Sequence, residues 1–248
     1  MNVTGGRVPG GAHEVLWHDL ECGSYDEDLA LWRDLAAACD GPVLDVGAGT
    51  GRVTLDLAGR GHAVVALDRD PALLSALRDR AGRLPVEVVE GDARGFALGR
   101  RFGLIIVPMQ TIQVLGGPEG RGGFLRSARE HLEPGGTVAI ALADALDAFD
   151  AEHDQPPVPD MREIDGIVYA SRLVAVRDEG ERAAIHRIRE IVDGGGVRTV
   201  EEDVIGLDRL DAGTLEAEAA RHGLRPAPRR EIPQSEEYVG STVVMLRG

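Results

Sequence analysis

The run PVLDVGAGTGRVTLDLAGRG (42–61) constrains this chain more than any other stretch. A short apolar segment ends at a turn with glycines at 47, 49 and 51. The residues after the turn place Val53, Leu55, Leu57 and Ala58 in a helical pattern that stops at Gly59 and Gly61. The same rhythm then repeats. HAVVALD (62–68) reads as a second strand, and PALLSALRDRAG, opened by Pro71 at a favoured first-turn position, as a helix. PVEVVEGD (85–92) is a third strand, and FGLIIVP (102–108) a fourth whose unbroken apolar run fits a strand covered on both faces. GGFLRSAREHLEPGG (122–136) reads as a helix and TVAIALA (137–143) as a fifth strand. Strand–helix alternation of this kind predicts an α/β fold with a mainly parallel sheet wound on both faces.

After residue 147 the rhythm changes. AFDAEHDQPPVPD (148–160) is polar and proline-rich and reads as a connection or lid. Three β-like runs follow with no helix between them, 166–176, 182–192 and 197–207, separated by the turn signals DEGE and DGGG. They predict an antiparallel insertion. A helix over 214–223 and strands near 225–232 and 241–247 complete the sheet at seven strands. At the front, residues 14–39 read as two helices broken near Gly23-Ser24, with Ser24 or Asp26 as the cap of the second. The expected organisation is an N-terminal helical cap (1–40), a core (41–147), an antiparallel insertion (148–207) facing substrate or a second copy, and the end of the core (208–248).

Composition excludes several chemistries. All 27 basic residues are arginine, which removes both a Schiff-base lysine and the lysine of a phosphate-binding P-loop. A net charge of −15 repels phosphate backbones and disfavours a nucleic-acid partner. The seven histidines are scattered and two cysteines stand alone, so no metal site is expected. No apolar run approaches the roughly 20 residues of a membrane span. The expectation is a soluble cytoplasmic protein acting on a small molecule, with a homodimer possible through exposed strand edges.

A dinucleotide turn has the spacing G-x-G-x-x-G, the third glycine allowing close helix–strand packing. Here the spacing is G-x-G-x-G, followed by Arg52. The first two glycines let a ligand lie against bare backbone, and the helix N-terminus offers amide hydrogens to a negative group. Asp68 ends the second strand, where an acid typically accepts bonds from ribose hydroxyls; the alternative is a cap before Pro71, a role for which Asp70 is better placed. Asp92, beside Ala93, ends the third strand, where it could read an adenine edge or serve as a turn residue. These positions converge on one crevice at the carboxyl ends of adjacent strands.

The series VLDVGAGTG, VVALDRD, VVEGDAR, FGLIIVPMQTIQVL and HLEPGGTVAIAL resembles the class I S-adenosylmethionine-dependent methyltransferases over roughly residues 25–145. The resemblance implies a Rossmann-like sheet with an N-terminal helical lid. It implies S-adenosylmethionine as cofactor and S-adenosylhomocysteine as product. Gly47, Ala48 and Gly49 would wrap the methionine moiety, with Asp45 supporting it through the turn. Asp68, with Arg69 beside it, would hold the ribose, and Asp92 and Ala93 the adenine. Pro108, ending the fourth strand, would border the site, and Tyr25 resembles a tyrosine that some small-molecule members place over the methionine end. PMQTIQVL lacks the Asn/Asp-Pro-Pro-aromatic motif of members that methylate amide or exocyclic base nitrogens. The implied acceptor is therefore a small molecule, of specialised-metabolite type, methylated on oxygen or nitrogen. Two alternatives stand beside it: a cyclisation or pericyclic reaction in the same pocket, and a non-catalytic module that binds the nucleoside.

Because the sulfonium carries an activated methyl group, positioning can supply much of the acceleration, with effective molarities implying ~7–11 kcal/mol. Gln110 ranks first as an orienting contact and His18 second. Gln113, Asp19, Glu21, Asp144 and His153 are further polar groups near the expected methyl. His186 and Arg189, an odd distance apart on a strand, must face opposite ways.

Overall fold

The computed structural model describes residues 12–143, 146–155, 157–235 and 239–248. Five parallel strands form the centre: β1 (Val43–Val46), β2 (Val64–Asp68), β3 (Val86–Glu90), β4 (Phe102–Val107) and β5 (Leu132–Leu142). The C-terminal strands β11 (Arg225–Ile232) and β12 (Ser241–Arg247) close one edge, β12 running antiparallel to β5. The seven-stranded order is β11-β12-β5-β4-β1-β2-β3. The chain reverses direction across the sheet between β1 and β4, and ligands of such sheets lie in the crevice at that switch point.

Alternation along the strands splits the core into two layers. Leu44, Val46, Ile105 and Val107 pack towards α5 (Gly117–His131) and α6 (Ala212–Arg221), where they meet Phe124 and Leu215. Val43, Leu104 and Ile106 pack on the opposite face towards Trp32 of α2 (Leu29–Ala37) and Leu57 of α3 (Arg52–Gly59). Buried on both faces, β1 exposes none of its four residues, hence its unbroken apolar sequence around Asp45. Helix α4 (Pro71–Ala81) covers β2 and β3, and α1 (Ala12–Cys22) lies against α4. Among the described residues, no helix is long and apolar enough to cross a membrane.

The second sheet is the expected antiparallel insertion: β8 (Ile167–Asp178), β9 (Arg182–Val192) and β10 (Arg198–Asp208), with β6 (Phe149–Asp150) and β7 (Asp160–Ile164) both pairing with β8. Strand β7 departs from the reading of 148–160 as a simple connection with the first insertion strand near 166. Asp165 and Gly166, at φ 51° and 76°, turn β7 directly into β8, and Asp-Gly is a strong hairpin signal. Helix α5 begins at Gly117 rather than near 122 and ends at His131 rather than at the Pro-Gly-Gly. Pro134 forces Glu133 out of helical geometry, so LEPGG becomes the start of β5. Neither Ser24 nor Asp26 caps α2. Asp28 holds that position without a side-chain capping bond, because its carboxylate accepts from Arg52 Nη1 and Nη2 (2.6 and 2.7 Å) and from Trp32 Nε1 (2.7 Å).

Candidate functional site

The glycine turn is boxed in on three sides. Gly47, Gly49 and Gly51 have φ of 75°, 55° and 96°, a region that disfavours any side chain. A Cβ on Gly47 would meet Thr111 Cγ2 at 2.6 Å, one on Gly49 would meet His18 Nε2 at 2.3 Å, and one on Gly51 would meet Leu77 Cδ1 at 2.2 Å. The turn therefore touches the short 3-10 helix Thr111–Val114, helix α1 and helix α4. It is also stitched to β2: Gly47 N and Ala48 N donate to Leu67 O (2.8 and 3.1 Å), and Gly49 N donates to Asp68 Oδ2 (2.8 Å).

Asp68 is free for a ligand because Asp70 does the capping. Asp70 Oδ1 accepts from Ala72 N and Leu73 N (2.8 and 3.1 Å) at the start of α4. Each Asp68 oxygen takes one backbone amide, Gly49 N on Oδ2 and Asp70 N on Oδ1 (3.0 Å), and each has a further lone pair.

A cavity opens where these elements meet. Its lining follows the strand order β4-β1-β2-β3: Thr111 after β4 and Gly47 after β1, with His18 against the turn, form one end; Leu67, Asp68 and Arg69 at the end of β2, with Leu73 of α4, stand in the middle; Gly91, Asp92, Ala93 and Arg94 after β3 form the far end; Val114 and Leu115 supply an apolar wall. The ion pair with Arg94 governs the charge at the far end. Arg94 reaches Asp92 with Nε (2.9 and 3.0 Å) and Nη2, and its backbone N bonds Oδ1 (2.8 Å). The side-chain and backbone bonds from Arg94 pull the Asp92 carboxyl down to about 2, so it is an acceptor at any working pH. An acid at mid-length, an acceptor at one end, apolar walls and a glycine cradle at the other end fit a nucleoside that carries a polar tail.

Of the sequence-derived candidates, the structure brings Gly47, Asp68, Arg69, Asp92, Ala93 and His18 into the cavity wall. Six others are not in its lining, among them Gly49, which lies against the His18 ring. Ala48 is buried in the turn. Pro108 accepts from Thr111 Oγ1 (3.0 Å) through its carbonyl, and Gln110 precedes the 3-10 helix, its carbonyl accepting from Gln113 N (2.8 Å). Tyr25 is buried with the Arg52 guanidinium 5.0 Å above its ring. Asp45 is wholly enclosed: Oδ2 accepts from Thr54 Oγ1 (2.6 Å), while Oδ1 has no hydrogen-bond partner.

The remaining polar candidates have other duties. Gln113 clamps Ala143 N and O (both 2.9 Å) and Asp208 O (3.1 Å), a structural bracket. Glu21 bonds Arg189 (2.7 and 2.8 Å) and Ser171 (2.7 Å), tying α1 to the insertion. Asp19 accepts from Thr50 Oγ1 (2.7 Å) and pairs with Arg80. His153 is exposed, and Asp144 lies outside the described residues. His186 bonds Glu202 while Arg189 faces α1, on the opposite side of the strand. The wall residues Leu73, Arg94, Thr111, Val114 and Leu115 were not singled out by the sequence reading. Leu73 lies in the first turn of α4, and the others lie on or beside a 3-10 turn and on a loop whose shape no periodicity announces.

The enclosure of Asp45 makes a testable prediction. Desolvation, opposed by the Thr54 bond and by Arg52, raises its carboxyl from 3.8 to about 6. A raised folded value gives stability that is full below the unfolded value and lost as pH rises through about 6. Two units correspond to about 3 kcal/mol. The stability of Asp45→Asn relative to the native chain should therefore rise between pH 4 and 7, read from urea midpoints. A difference independent of pH would show that Asp45 does not titrate in this range.

Residues 43–136 match the family described as "Methyltransferase domain". Cypemycin N-terminal methyltransferase from Streptomyces sp is 31% identical over 156 residues, 62% of this chain and 61% of that protein, so the match spans less than two thirds of the relative's length. Two solved structures share the fold over nearly their whole length. The sugar N-methyltransferase KedS8 from Streptoalloteichus sp superposes with a TM-score of 0.75 at 19% identity, covering 100% of this chain and 99% of that one. The amino pentose methyltransferase CalS10 from Micromonospora echinaspora superposes at 0.71 and 22% identity, covering 99% and 100%. The glycine turn, the switch-point cavity and the strand order agree with that match, and residues 43–136 form a methyltransferase domain within a fold shared with these methyltransferases.

Proposed function

We propose that the chain transfers a methyl group from S-adenosylmethionine to an amine nitrogen of a small specialised-metabolite acceptor. The observation that carries the reading is the polar order of the cavity: Asp68 in its middle, Asp92 at one end, the glycine cradle at the other. Asp68 would accept from two ribose hydroxyls, Asp92 and the Ala93 backbone would take the adenine edge, and Leu73, Val114 and Leu115 would cover its faces. When bound, S-adenosylmethionine supplies a methyl group already activated on a positively charged sulfur. Nitrogen is favoured over oxygen because the relatives include an N-terminal, a sugar N- and a glycopeptide N-methyltransferase.

The chain's own contribution is enclosure and orientation. Helix α1 spans from the glycine turn, through Asp19 and Thr50, to the antiparallel sheet, through Glu21 and Arg189. An acceptor held between that sheet and the core would face the turn with water excluded, the condition under which positioning is most effective. Among the described residues, His18 faces the cavity without a hydrogen-bonded carboxylate, since Asp19 uses its oxygens on Thr50 and Arg80. Gln110 remains the proposed orienting contact, with residues 148–207 setting acceptor choice. The net charge of −15 supports a small-molecule acceptor over a nucleic acid. A homodimer paired through the outermost strand β10, where Val200, Val204 and Ile205 are exposed, belongs to the same proposal, and a monomer by light scattering at assay concentration would remove it.

The test is incubation of the protein with metabolite extract and a donor labelled in its methyl group. A labelled amine heavier by one methylene is expected. Consumption of a substrate with no label transferred would favour a cyclisation or pericyclic reaction in the same pocket.

A further inference from the structure

Helix α1 lays His18 directly on the glycine turn, so close that a Cβ on Gly49 would lie 2.3 Å from Nε2 and 2.5 Å from Cε1. The ring is held from behind by Thr50 Oγ1, 3.3 Å from Nδ1, and Thr50 is held in turn by Asp19, whose carboxylate is paired with Arg80. His18 and Gly47 wall the end of the cavity opposite Asp92. A nucleoside whose hydroxyls reach Asp68 and whose base reaches Asp92 must send its remaining substituent to this end. There the N-terminus of α3, an eight-residue helix, favours negative charge.

Resting on the proposed function, we infer that His18 binds the carboxylate of the cofactor's amino-acid tail through Nε2 and takes up a proton as it does so. The groups facing His18 are Asp19 and Glu21 on its own helix, Asp68 from β2 and Arg80 from α4. Burial dominates them and holds the imidazole below its ordinary value, so it is largely neutral before binding at pH 7. A carboxylate against Nε2 adds an opposite charge and raises that value. Linkage then requires affinity for the tailed ligand to increase as pH falls from 8 towards 6. The residue is a positioning and discrimination device: it recognises a nucleoside that carries the acidic tail over one that lacks it.

Calorimetry at pH 7 in two buffers of different ionisation enthalpy tests this on the whole chain. The probes are S-adenosylhomocysteine and 5′-methylthioadenosine, which lacks the amino-acid tail. Net proton uptake is expected with the first and none with the second. His18→Gln should remove the uptake and weaken S-adenosylhomocysteine about tenfold or more, as expected for a lost bond to a charged group. It should leave 5′-methylthioadenosine unchanged. Binding of both ligands to the native chain without differential uptake overturns the inference alone. Uptake that survives His18→Gln, or equal weakening of both ligands, also overturns it and leaves His18 as packing against Gly49. Failure of both ligands to bind the native chain overturns the proposed function and this inference together.

Discussion

Replacing Asp68 by alanine should lower affinity for S-adenosylhomocysteine by about two to four orders of magnitude while the chain still folds. Two bonds from ribose hydroxyls to a charged acceptor, at ~1.5–3 kcal/mol each, set that scale. The fold should survive because Asp68 supports only two amides, Gly49 N and Asp70 N, at the rim of the sheet, and Asp70 caps α4 without it. Gly49 N also loses its acceptor, so part of the loss reflects a turn that is less well held. Asp68→Asn separates the two contributions: it keeps an oxygen for Gly49 N and loses the charge. Calorimetric affinities for both variants, with urea midpoints alongside, make the comparison. Unchanged affinity in Asp68→Ala would reduce Asp68 to a brace between two backbone amides.

The largest effect on stability should come from Arg121→Met, a loss of about 3–5 kcal/mol. Arg121 on α5 is buried between Glu218 of α6 (2.7 and 2.8 Å) and Asp208 at the end of β10 (3.1 Å). Its removal strands the enclosed Glu218 carboxylate and takes from Asp208 one of its two guanidinium partners, which is far costlier than losing an exposed pair. Asp208 is also the junction of insertion and core, since Gly117 N (2.6 Å) and Arg182 Nε (3.1 Å) bond the same carboxylate. Urea midpoints provide the measurement. Adding Asp208→Asn and Glu218→Gln to the variant should recover part of the loss, because neutral side chains no longer need the guanidinium. A loss below about 1 kcal/mol would place the cluster in the class of exposed ion pairs.

The central sheet was legible because its physics is local. Each parallel strand is buried on both faces and reads as an apolar run, and each return helix carries a 3.6-residue stripe between glycine or proline stops. The candidate crevice was legible for a related reason: strand-end acids at Asp68 and Asp92 and the turn at 47–51 sit at fixed distances in the sequence, and Gly47, Asp68 and Asp92 line one cavity. What escaped the sequence is set by tertiary contacts. Asp28 has the composition of a cap, yet a partner 24 residues away, Arg52, claims its carboxylate. Gln113 looks like a site group until Ala143 and Asp208 are seen to use its amide. Tyr25 and His18 both precede α2, and only the packing of α1 against Gly49 and of Arg52 over Tyr25 decides which of them reaches the cavity. Strand β7 was hidden by the prolines before it, although Asp165-Gly166 announced its turn.

The most direct test of the account is a titration of the intact chain with S-adenosylmethionine, S-adenosylhomocysteine, NAD and NADP. The account predicts saturable binding of the first two at one site per chain, abolished or strongly weakened in Asp68→Ala, and no saturable binding of either dinucleotide. Its ground is the G-x-G-x-G turn, in which Arg52 stands next to the third glycine and is already engaged with Asp28 and the Tyr25 carbonyl. Tight binding of a nicotinamide dinucleotide, or no binding of either sulfur ligand, would contradict it.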